Sequence, residues 1–600
     1  MHDTYEPGEY LDLLKAYYAL EQLTFSPDDP REAVLSALEE RSEKKRVIAE
    51  KVNAIVDEYV TRFEKEPGLL ERDDLSRLEQ MYDSLTDKKT GRELDLGIML
   101  RISIILKDRY KRAGREYESE YVKFLHECVT NDRVLIYNHT SLSCESPYLS
   151  ECLEMANRFD ELSEADRVLL FHMLYYAHVN HEDDRISEGQ KHPIERLLEA
   201  EDNLRERLGE RYPEYLDKAG AVGIARNSLS LMLEHFLWMA RHGKAVDIER
   251  FRPPLERYTA ILRRYLETNT ETNALTISLR STLLYADYRL GTLSLEELLD
   301  ELTRMQSDVR DDESPTIQAT RLGKLNYHYL VFLYRFSGYD RKTVIEMSQQ
   351  RIRETLPRIL KITREVNNTR FNNYLMMFIL GSSYTSRFED FSNLLLELTV
   401  YSDKALYVHT EMVKELSLVL FDHLIETHPD AFDGVAGRDA AYIRTHKEEM
   451  RRLLSECCMF HDIGKFFMLD IVGNSMRRLT DEEYSIIRMH PDGFDEFGRD
   501  WMEQDEHLHC IRDCAVTHHL WHDGTRGYPA VRHTKNRPFV DILAIADSLD
   551  AATDGYGRPY RFTKSLDDLI GEFRQGAGTR YGPEAVSALA DQKVQDRLQF

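Results

Sequence analysis

The sequence predicts an all-α protein in two parts, a helical repeat region over residues 1–395 and a helical bundle over residues 396–600. Three observations favour this prediction. Apolar residues recur three and four positions apart along most of the chain, as on one face of an amphipathic helix. The alternation typical of strands is not sustained, and only 17 prolines interrupt 600 residues. A chain of this length also exceeds one hydrophobic core, so at least two domains are expected.

Similar helix-ending turns recur in the N-terminal part. Their glycines are Gly243, Gly291 and Gly338, spaced 48 and 47 residues apart, and a weaker fourth copy begins at Ser383. A helix–turn–helix unit needs a neighbour to cover its apolar face, so the spacing favours an α-solenoid. The turns loosely resemble those of tetratricopeptide-type arrays, without their residue signature. An irregular helical bundle is the alternative. A solenoid would offer a surface to a protein partner.

Composition and charge restrict the partners. The formal net charge of −27 repels nucleic acid polymers, so none is expected to bind. A small anionic substrate would need a local cluster of Lys and Arg. The acidic N-terminus lacks the apolar segment of a signal peptide, and no apolar run has the length of a membrane span, so a cytoplasmic location is expected. The seven cysteines include no CxxC pair and are expected to be reduced and packed.

Residues suited to metal binding recur at regular intervals in the last third of the chain. The separations from Asp462 to His490, from His490 to His518 and from His519 to Asp547 are each 28 residues. That length allows one helix and a return connection, so successive ligands can reach the same end of a bundle. The candidate ligands are His409, His461, Asp462, His490, His518, His519 and Asp547, with Asp550 on the same helix face as Asp547.

Local patterns place these residues at helix ends. One amphipathic helix is expected to deliver Asp462 in its last turn and to be broken by Gly464. The next is expected to begin with a capping box formed by Thr480 and Glu483, and to end at His490 before a proline. Helix after helix would therefore place its ligands where they can converge.

The ligand types indicate the metals. Imidazoles together with carboxylates suit borderline divalent ions, with Fe or Mn favoured and Zn as an alternative, rather than Ca or Mg. The candidates are too many for one tetrahedral ion and suit two, with Asp462 as the natural bridge. A water held between two such ions would be a hydroxide at neutral pH, ready for in-line attack on phosphorus.

Taken in order, these motifs resemble the HD-GYP family, a subset of the HD-domain metal-dependent phosphohydrolases. The resemblance covers roughly the last third of the chain. The matching stretches are His409, HDIGK at 461–465, Asp470, LTDEEYSIIRMHP at 479–491, HH at 518–519, DG at 523–524, GYP at 527–529, AIADSLDAAT at 544–553 and RPYR at 558–561.

The resemblance implies a phosphodiesterase that cleaves cyclic di-GMP to pGpG and GMP by attack of a metal-bridging hydroxide, regulated by the N-terminal region. One ion would be held by His409, His461, Asp462 and Asp547, and the other by Asp462, His490, His518 and His519. The resemblance also implies that Lys465 faces a phosphate or the leaving oxygen, and that Asp550 orients a ligand or the water. Arg558 and Arg561 would bind phosphate. The substrate groove would be lined by Gly527, Tyr528 and Pro529, and Tyr528 can stack on a guanine.

The sequence departs from the family pattern at several positions. Leu520 follows the histidine pair where the family has Glu, and both Thr525 and Arg526 separate DG from GYP where the family has one residue. Ala405 stands where members with a third metal carry a carboxylate, so two ions are expected. Two alternative functions stay open: a hydrolase of another cyclic nucleotide or phosphoester, and a non-catalytic scaffold that senses cyclic di-GMP. A homodimer is a separate open prediction.

Overall fold

The computed structural model describes residues 6, 8–21, 31–87, 92–93, 95–139, 146–176, 193–241, 245–310, 312–365, 369–402, 404–468, 476–494, 506–528, 534–553 and 564–598. The fold is all-α, as predicted. Among the described residues, the only strands are β1 (Thr86–Asp87) and β2 (Arg92–Glu93), which pair antiparallel. Every helix in this described part of the chain is too short or too polar to cross a lipid bilayer.

The chain forms two compact units, one of Met1–Ala19 with Lys51–Gly381 and one of Leu20–Glu50 with Ser382–Phe600. The predicted assignment of functional domains on either side of residue 395 stays a prediction. The α-helices up to residue 385 are α1 (Glu9–Glu21), α2 (Arg31–Val56), α3 (Arg62–Lys65), α4 (Arg72–Ser84), α5 (Leu96–Ala113), α6 (Glu118–His139), α7 (Leu149–Asn157), α8 (Glu164–Tyr176), α9 (Pro193–Leu208), α10 (Tyr212–Lys218), α11 (Ala221–Arg241), α12 (Ile248–Thr268), α13 (Ala274–Leu290), α14 (Leu295–Ser307), α15 (Pro315–Ala319), α16 (Leu325–Phe336), α17 (Arg341–Glu365) and α18 (Thr369–Thr385).

Helices of the first unit pack mainly on their neighbours in sequence. Helix α5 packs on α6, α11 on α12, α12 on α13, and α14 on α16. The Tyr285 and Phe332 rings, 4.7 Å apart between centroids, join α13 to α16. Helix α14 begins with a capping box, in which Ser294 Oγ accepts a bond of 3.2 Å from the Glu297 N–H. This order of contacts is consistent with the predicted helical repeat.

Two of the three predicted repeat turns have the backbone that calls for glycine. Gly291 follows α13 with φ of 77°, and the Thr292 N–H closes the turn on the Asp287 carbonyl at 2.9 Å. Gly338 follows α16 with φ of 68°. Gly243 lies outside the described residues. The resemblance to tetratricopeptide arrays stays a prediction.

The α-helices from residue 388 onward include those that carry or precede the candidate ligands. They are α19 (Phe388–Ser402), α20 (Lys404–Thr427), α21 (Ala440–Thr445), α22 (Lys447–Phe460), α23 (Asp481–Ile487), α24 (Glu506–Thr517), α25 (Arg537–Thr553), α26 (Leu566–Gln575), α27 (Pro583–Leu589) and α28 (Gln592–Leu598). Helix α20 packs on α22 and α25, and α24 packs on the same two helices. The rings of Phe421, Phe432 and Phe539 fill the core beside α20, with centroids 5.3–6.1 Å apart.

Short 3-10 helices connect these elements. Two of them position ligands of the site. The first, Ile463–Met468, begins after His461 and Asp462, the two residues that follow α22, and the second, His490–Asp492, follows α23. The capping box predicted at the start of α23 is confirmed, since the Glu483 N–H donates to Thr480 Oγ1 at 3.2 Å and the Thr480 N–H donates to the Glu483 carboxylate at 2.8 Å.

Candidate metal centre

All the predicted metal ligands meet at one end of the bundle in the second unit. Helix α22 ends one residue before His461, and α24 ends one residue before His518. The ligands lie on α20 (His409), after α22 (His461 and Asp462), at the start of a 3-10 helix (His490), after α24 (His518 and His519) and on α25 (Asp547). The four helices α20, α22, α24 and α25 pack side by side, and their ligands lie at the same end of this bundle.

Asp462 lies at the middle of the cluster, and its two carboxylate oxygens face two different groups of histidines. Oδ2 is 3.2 Å from His409 Nε2 and 3.3 Å from His461 Nε2. Oδ1 is 3.0 Å from His490 Nε2 and 3.8 Å from His518 Nε2. The Asp462 side chain is 3% exposed, so this carboxylate interacts with its neighbours rather than with water. Such a carboxylate can bridge two cations.

The remaining ligands complete each group. Asp547 Oδ1 lies 3.3 Å from His409 Nε2, on the first side of Asp462. The rings of His518 and His519 have centroids 4.0 Å apart, and His519 lies 5.1 Å from the His490 ring on the second side. Two sets of ligand atoms therefore stand close enough for one ion each, namely His409 with His461 and Asp462, and His490 with His518 and His519.

Hydrogen bonds fix the orientation of the histidine rings. A carbonyl oxygen only accepts, so a ring nitrogen bonded to one must carry the proton and leave the other nitrogen free to bind a metal. Three histidines donate from Nδ1 to the carbonyl three residues earlier, namely His461 to Cys458 at 2.6 Å, His490 to Ile487 at 2.6 Å and His518 to Ala515 at 2.8 Å. Their Nε2 atoms then point into the cluster, as in metal sites whose outer hydrogen bonds set the tautomer.

His409 is oriented by a carboxylate instead. Its Nδ1 lies 2.6 Å from Asp550 Oδ2, one helical turn beyond Asp547 on α25. Burial alone would lower the pKa of His409, but the carboxylates of Asp462, Asp547 and Asp550 hold it well above the ordinary value. Asp550 thus turns Nε2 of His409 toward the other ligands.

Polar atoms left without hydrogen bonds test whether cations fit here. Among the described residues, His409 Nε2, His461 Nε2 and Asp462 Oδ1 are buried and make no hydrogen bond. In addition, Nε2 of His490 and Nε2 of His518 face each other at 3.3 Å, although both rings already donate from Nδ1. Buried lone pairs without donors are costly. A cation on each side of Asp462 would satisfy them, so the residues fit two divalent ions.

The ionisation of His518, His519 and Asp462 suits metal binding, whereas His409, whose pKa is raised, must release a proton before it binds an ion. Burial and the neighbouring imidazoles hold the pKa of His518 well below its ordinary value, and burial lowers the pKa of His519 to about 3, so both rings are neutral near pH 7. Burial alone would raise the pKa of Asp462, but His461 and Lys465 hold it well below its usual range. Neutral imidazoles and an ionised carboxylate are the forms that bind cations.

Comparisons with known proteins find two relatives of part of the chain. No family model matches the chain. A Vibrio cholerae protein named cyclic di-GMP phosphodiesterase is 31% identical over 144 residues, which are 23% of this chain and 28% of the relative. A Xanthomonas campestris pv. campestris protein named cyclic di-GMP phosphodiesterase response regulator RpfG is 28% identical over 164 residues, which are 27% of this chain and 41% of the relative. The chain thus spans less than half the length of either curated relative.

The C-terminal region resembles the HD-GYP family. The predicted resemblance is confirmed by these two relatives at modest identity and partial coverage. The comparisons do not test the roles of single residues in the HD-GYP-like region, which stay predictions.

The glycine of the HDIGK motif has a different task from the one predicted. Helix α22 ends at Phe460, before the histidine, so Gly464 does not break it. A Cβ atom at Gly464 would instead lie 1.9 Å from the His490 carbonyl oxygen. Gly464 is therefore required by the close approach of two chain segments. One segment carries His461 and Asp462, and the other carries His490.

The predicted substrate-groove residues are described only in part. Gly527 has φ of 107°, and a Cβ there would lie 2.3 Å from the His519 carbonyl oxygen, so its backbone packs on the histidine pair. The Tyr528 ring lies over His519 with centroids 4.5 Å apart. Leu520 is 2% exposed, and this apolar side chain packs in the core. Pro529, Arg558, Arg561 and Asp470 lie outside the described residues.

Two basic side chains, Lys465 and Arg488, lie near the cluster. Lys465 Nζ donates to Asp462 Oδ2, and the role of Lys465 at a phosphate or leaving oxygen stays a prediction. Arg488 was not singled out from the sequence. Its guanidinium lies 5.7 Å from the centre of the Tyr528 ring and 4.4 Å from that of Tyr484. The available signal was its position one helical turn after Tyr484 and two residues before His490.

Asp462 also lines a mostly apolar cleft. This cleft lies between α19, α20 and the end of α22, and its other lining residues include Leu395, Leu406, Phe460 and Phe466. None of its lining residues in the described chain is basic. A phosphate is therefore better accommodated beside Lys465 or Arg488 than in this cleft.

Replacement of Asp550 by asparagine is expected to weaken metal binding by about 10–100-fold, because an amide cannot hold His409 as a charged acceptor does. Competition with a chromophoric chelator measures this affinity. Asp567→Asn, at an exposed position of α26, is the matched control and should bind metal as the wild type does. Equal affinity of the Asp550→Asn and wild-type proteins would contradict the orienting role.

Proposed function

We propose that the HD-GYP-like region is a metal-dependent phosphodiesterase that hydrolyses cyclic di-GMP to pGpG and GMP. The observation that carries this proposal is Asp462, whose two oxygens each face a separate set of imidazoles at 3.0–3.8 Å. Both curated relatives bear the name of this activity.

The proposed cofactors are two divalent ions, Fe or Mn, with Zn as the alternative. One would be held by His409, His461, Asp462 and Asp547, and the other by Asp462, His490, His518 and His519. Bound ions of this kind supply a nucleophilic water at neutral pH and neutralise the charge that develops on phosphorus.

The side chains around the ions position the substrate. Lys465, which contacts Asp462, stands close enough to donate to a phosphate oxygen or to the departing ribose oxygen. Tyr528 presents its ring beside His519, where a guanine can stack on it. Arg488 lies against Tyr528 and would pair with the second phosphate or cover the stacked base. These groups provide the local positive charge that a chain of net charge −27 needs for an anionic substrate.

Hydrolysis of cyclic di-GMP by the purified full chain with Mn²⁺ or Fe²⁺ tests the proposal. Release of pGpG or GMP by the wild type, and not by the His461→Ala/Asp462→Ala variant, is the expected result. Leu520, which is buried, stands where the family has Glu, so the choice of substrate stays open. A panel of other cyclic dinucleotides and simple phosphodiesters in the same assay addresses this choice. Bound metal without turnover of any substrate would favour a non-catalytic scaffold.

Arg488 should affect substrate binding more than chemistry. Arg488→Ala is expected to raise KM about 10-fold or more, because it removes a charge and a planar group beside Tyr528. Arg488→Lys should restore only part of the loss, since lysine keeps the charge without the planar surface. Steady-state kinetics separate the two parameters. A drop in kcat with unchanged KM would contradict this role.

The N-terminal helical region is proposed to regulate the enzyme by binding a protein partner. Its packing of neighbouring helices supports this role, since such arrays offer extended surfaces. The cytoplasmic location and the homodimer stay predictions.

A further inference from the structure

Three cysteine thiols converge inside the second unit. Cys457 lies on α22, and Cys510 and Cys514 lie four residues apart on α24, on one face of that helix. All three side chains are fully buried, and their sulfur atoms lie within 4.8 Å of one another. The two helices pack directly on each other. The sequence predicted only that these residues are reduced and packed.

Three sulfurs at this spacing fit a single ion better than a disulfide. Thiolates about 2.3 Å from a central zinc stand about 4 Å from one another, which requires only a small contraction here. A disulfide would join two of the three sulfurs at about 2 Å and leave the third unused. We propose that Cys457, Cys510 and Cys514 bind one thiophilic metal ion, of the class of Zn²⁺, Cd²⁺ or Cu⁺.

Binding would leave all three sulfurs as thiolates, and each thiol that still carries a proton would release it. Burial holds the pKa of Cys457 and of Cys514 well above the ordinary value, so these two lose their protons only to a cation. Hydrogen bonds from Cys457 and Cys514 lower the pKa of Cys510 to about 5.

The thiol cluster lies one helical turn from the histidines. Cys457 precedes His461 by four residues, and Cys514 precedes His518 by four. The rings of His461 and His518 have centroids 5.1 Å apart. An ion held by the thiols would thus fix α22 and α24 relative to each other directly below the centre. Its ligands are sulfur, whereas those of the histidine centre are nitrogen and oxygen, so the thiol site favours softer ions than the histidine centre does.

Cadmium titration of the metal-free full chain tests this inference. The thiolate-to-cadmium charge-transfer absorption reports sulfur ligands only, so Cd²⁺ in the histidine centre does not contribute. The wild type should develop this absorption and saturate at one thiolate-bound ion per chain. Cys457→Ser and Cys510→Ser should each lose the tight binding. Cys458→Ser is the matched control, because Cys458 is equally buried on α22 but lies outside the cluster.

The wild-type titration decides the matter even if a serine variant fails to fold. A folded wild-type chain that shows no charge-transfer absorption would overturn the inference and leave three packed thiols. An absorption that survives in the Cys457→Ser/Cys510→Ser protein would also overturn it, because the sulfur ligands would then lie elsewhere. Loss of cyclic di-GMP hydrolysis is not part of this test, so its outcome is independent of the proposed function.

Discussion

Replacing Asp462 with asparagine is expected to reduce hydrolysis of cyclic di-GMP by about 1000-fold and to lower the metal content on both sides of the centre. The reason is geometric. Each Asp462 oxygen faces a different histidine group, so the amide removes an anionic ligand from two ions at once. His490→Ala should differ, because His490 belongs to one group only. That variant is expected to keep about one ion per chain.

Metal analysis after gel filtration, beside the hydrolysis assay, measures both effects. Asp430→Asn is the control, since this aspartate of the same unit has a side chain that is 92% exposed. It should retain both ions and full activity. If Asp462→Asn bound two ions as the wild type does, Asp462 would not be the shared ligand, and the two-ion arrangement would have to be abandoned.

Replacing Glu483 with glutamine is expected to lower the free energy of unfolding by about 3–5 kcal/mol. Glu483 forms a two-pronged ion pair with Arg477, with both nitrogen–oxygen distances 2.8 Å and side-chain exposures of 4% and 1%. Loss of the carboxylate would remove the charge with which Glu483 balances a buried guanidinium. The same carboxylate also accepts the Thr480 N–H at the start of α23.

Urea denaturation followed by circular dichroism measures this change. Glu482→Gln is the matched control, because Glu482 is the preceding residue of α23 and is exposed. Its free energy of unfolding should stay within about 0.5 kcal/mol of the wild type. A Glu483→Gln protein as stable as the control would mean that Arg477 finds another partner, and the ion pair would not be needed for stability.

Much of the fold and the candidate centre could be predicted because the informative signals are local. Helical periodicity gave the all-α class, and the capping box at Thr480 and Glu483 gave the start of α23. Equal spacing of the ligands indicated that His490 and His518 could meet, since each helix and its return covers the same distance. The structure brings the seven predicted ligands into one cluster, although their binding of metal stays a proposal.

Other features could not be predicted because they depend on contacts between distant segments. Helix α22 ends before His461, and the reason for Gly464 lies in the segment at His490. The approach of Arg488 to Tyr528 joins residues 40 positions apart. Cys457 and Cys510 are 53 positions apart, and no local pattern relates them. Such pairings arise from tertiary packing, which periodicity does not encode.

The contact between Gly464 and the His490 carbonyl has a consequence for protein engineering. The turn Ile463–Met468 and the turn His490–Asp492 approach each other so closely that Gly464 does not tolerate an added methyl group at the point of contact. The two turns therefore form a single packing unit, although they are distant in the sequence. A designer who transplants this centre into another helical bundle should therefore move both turns as a matched pair, and a library that randomises one while the other is held constant should yield few folded members.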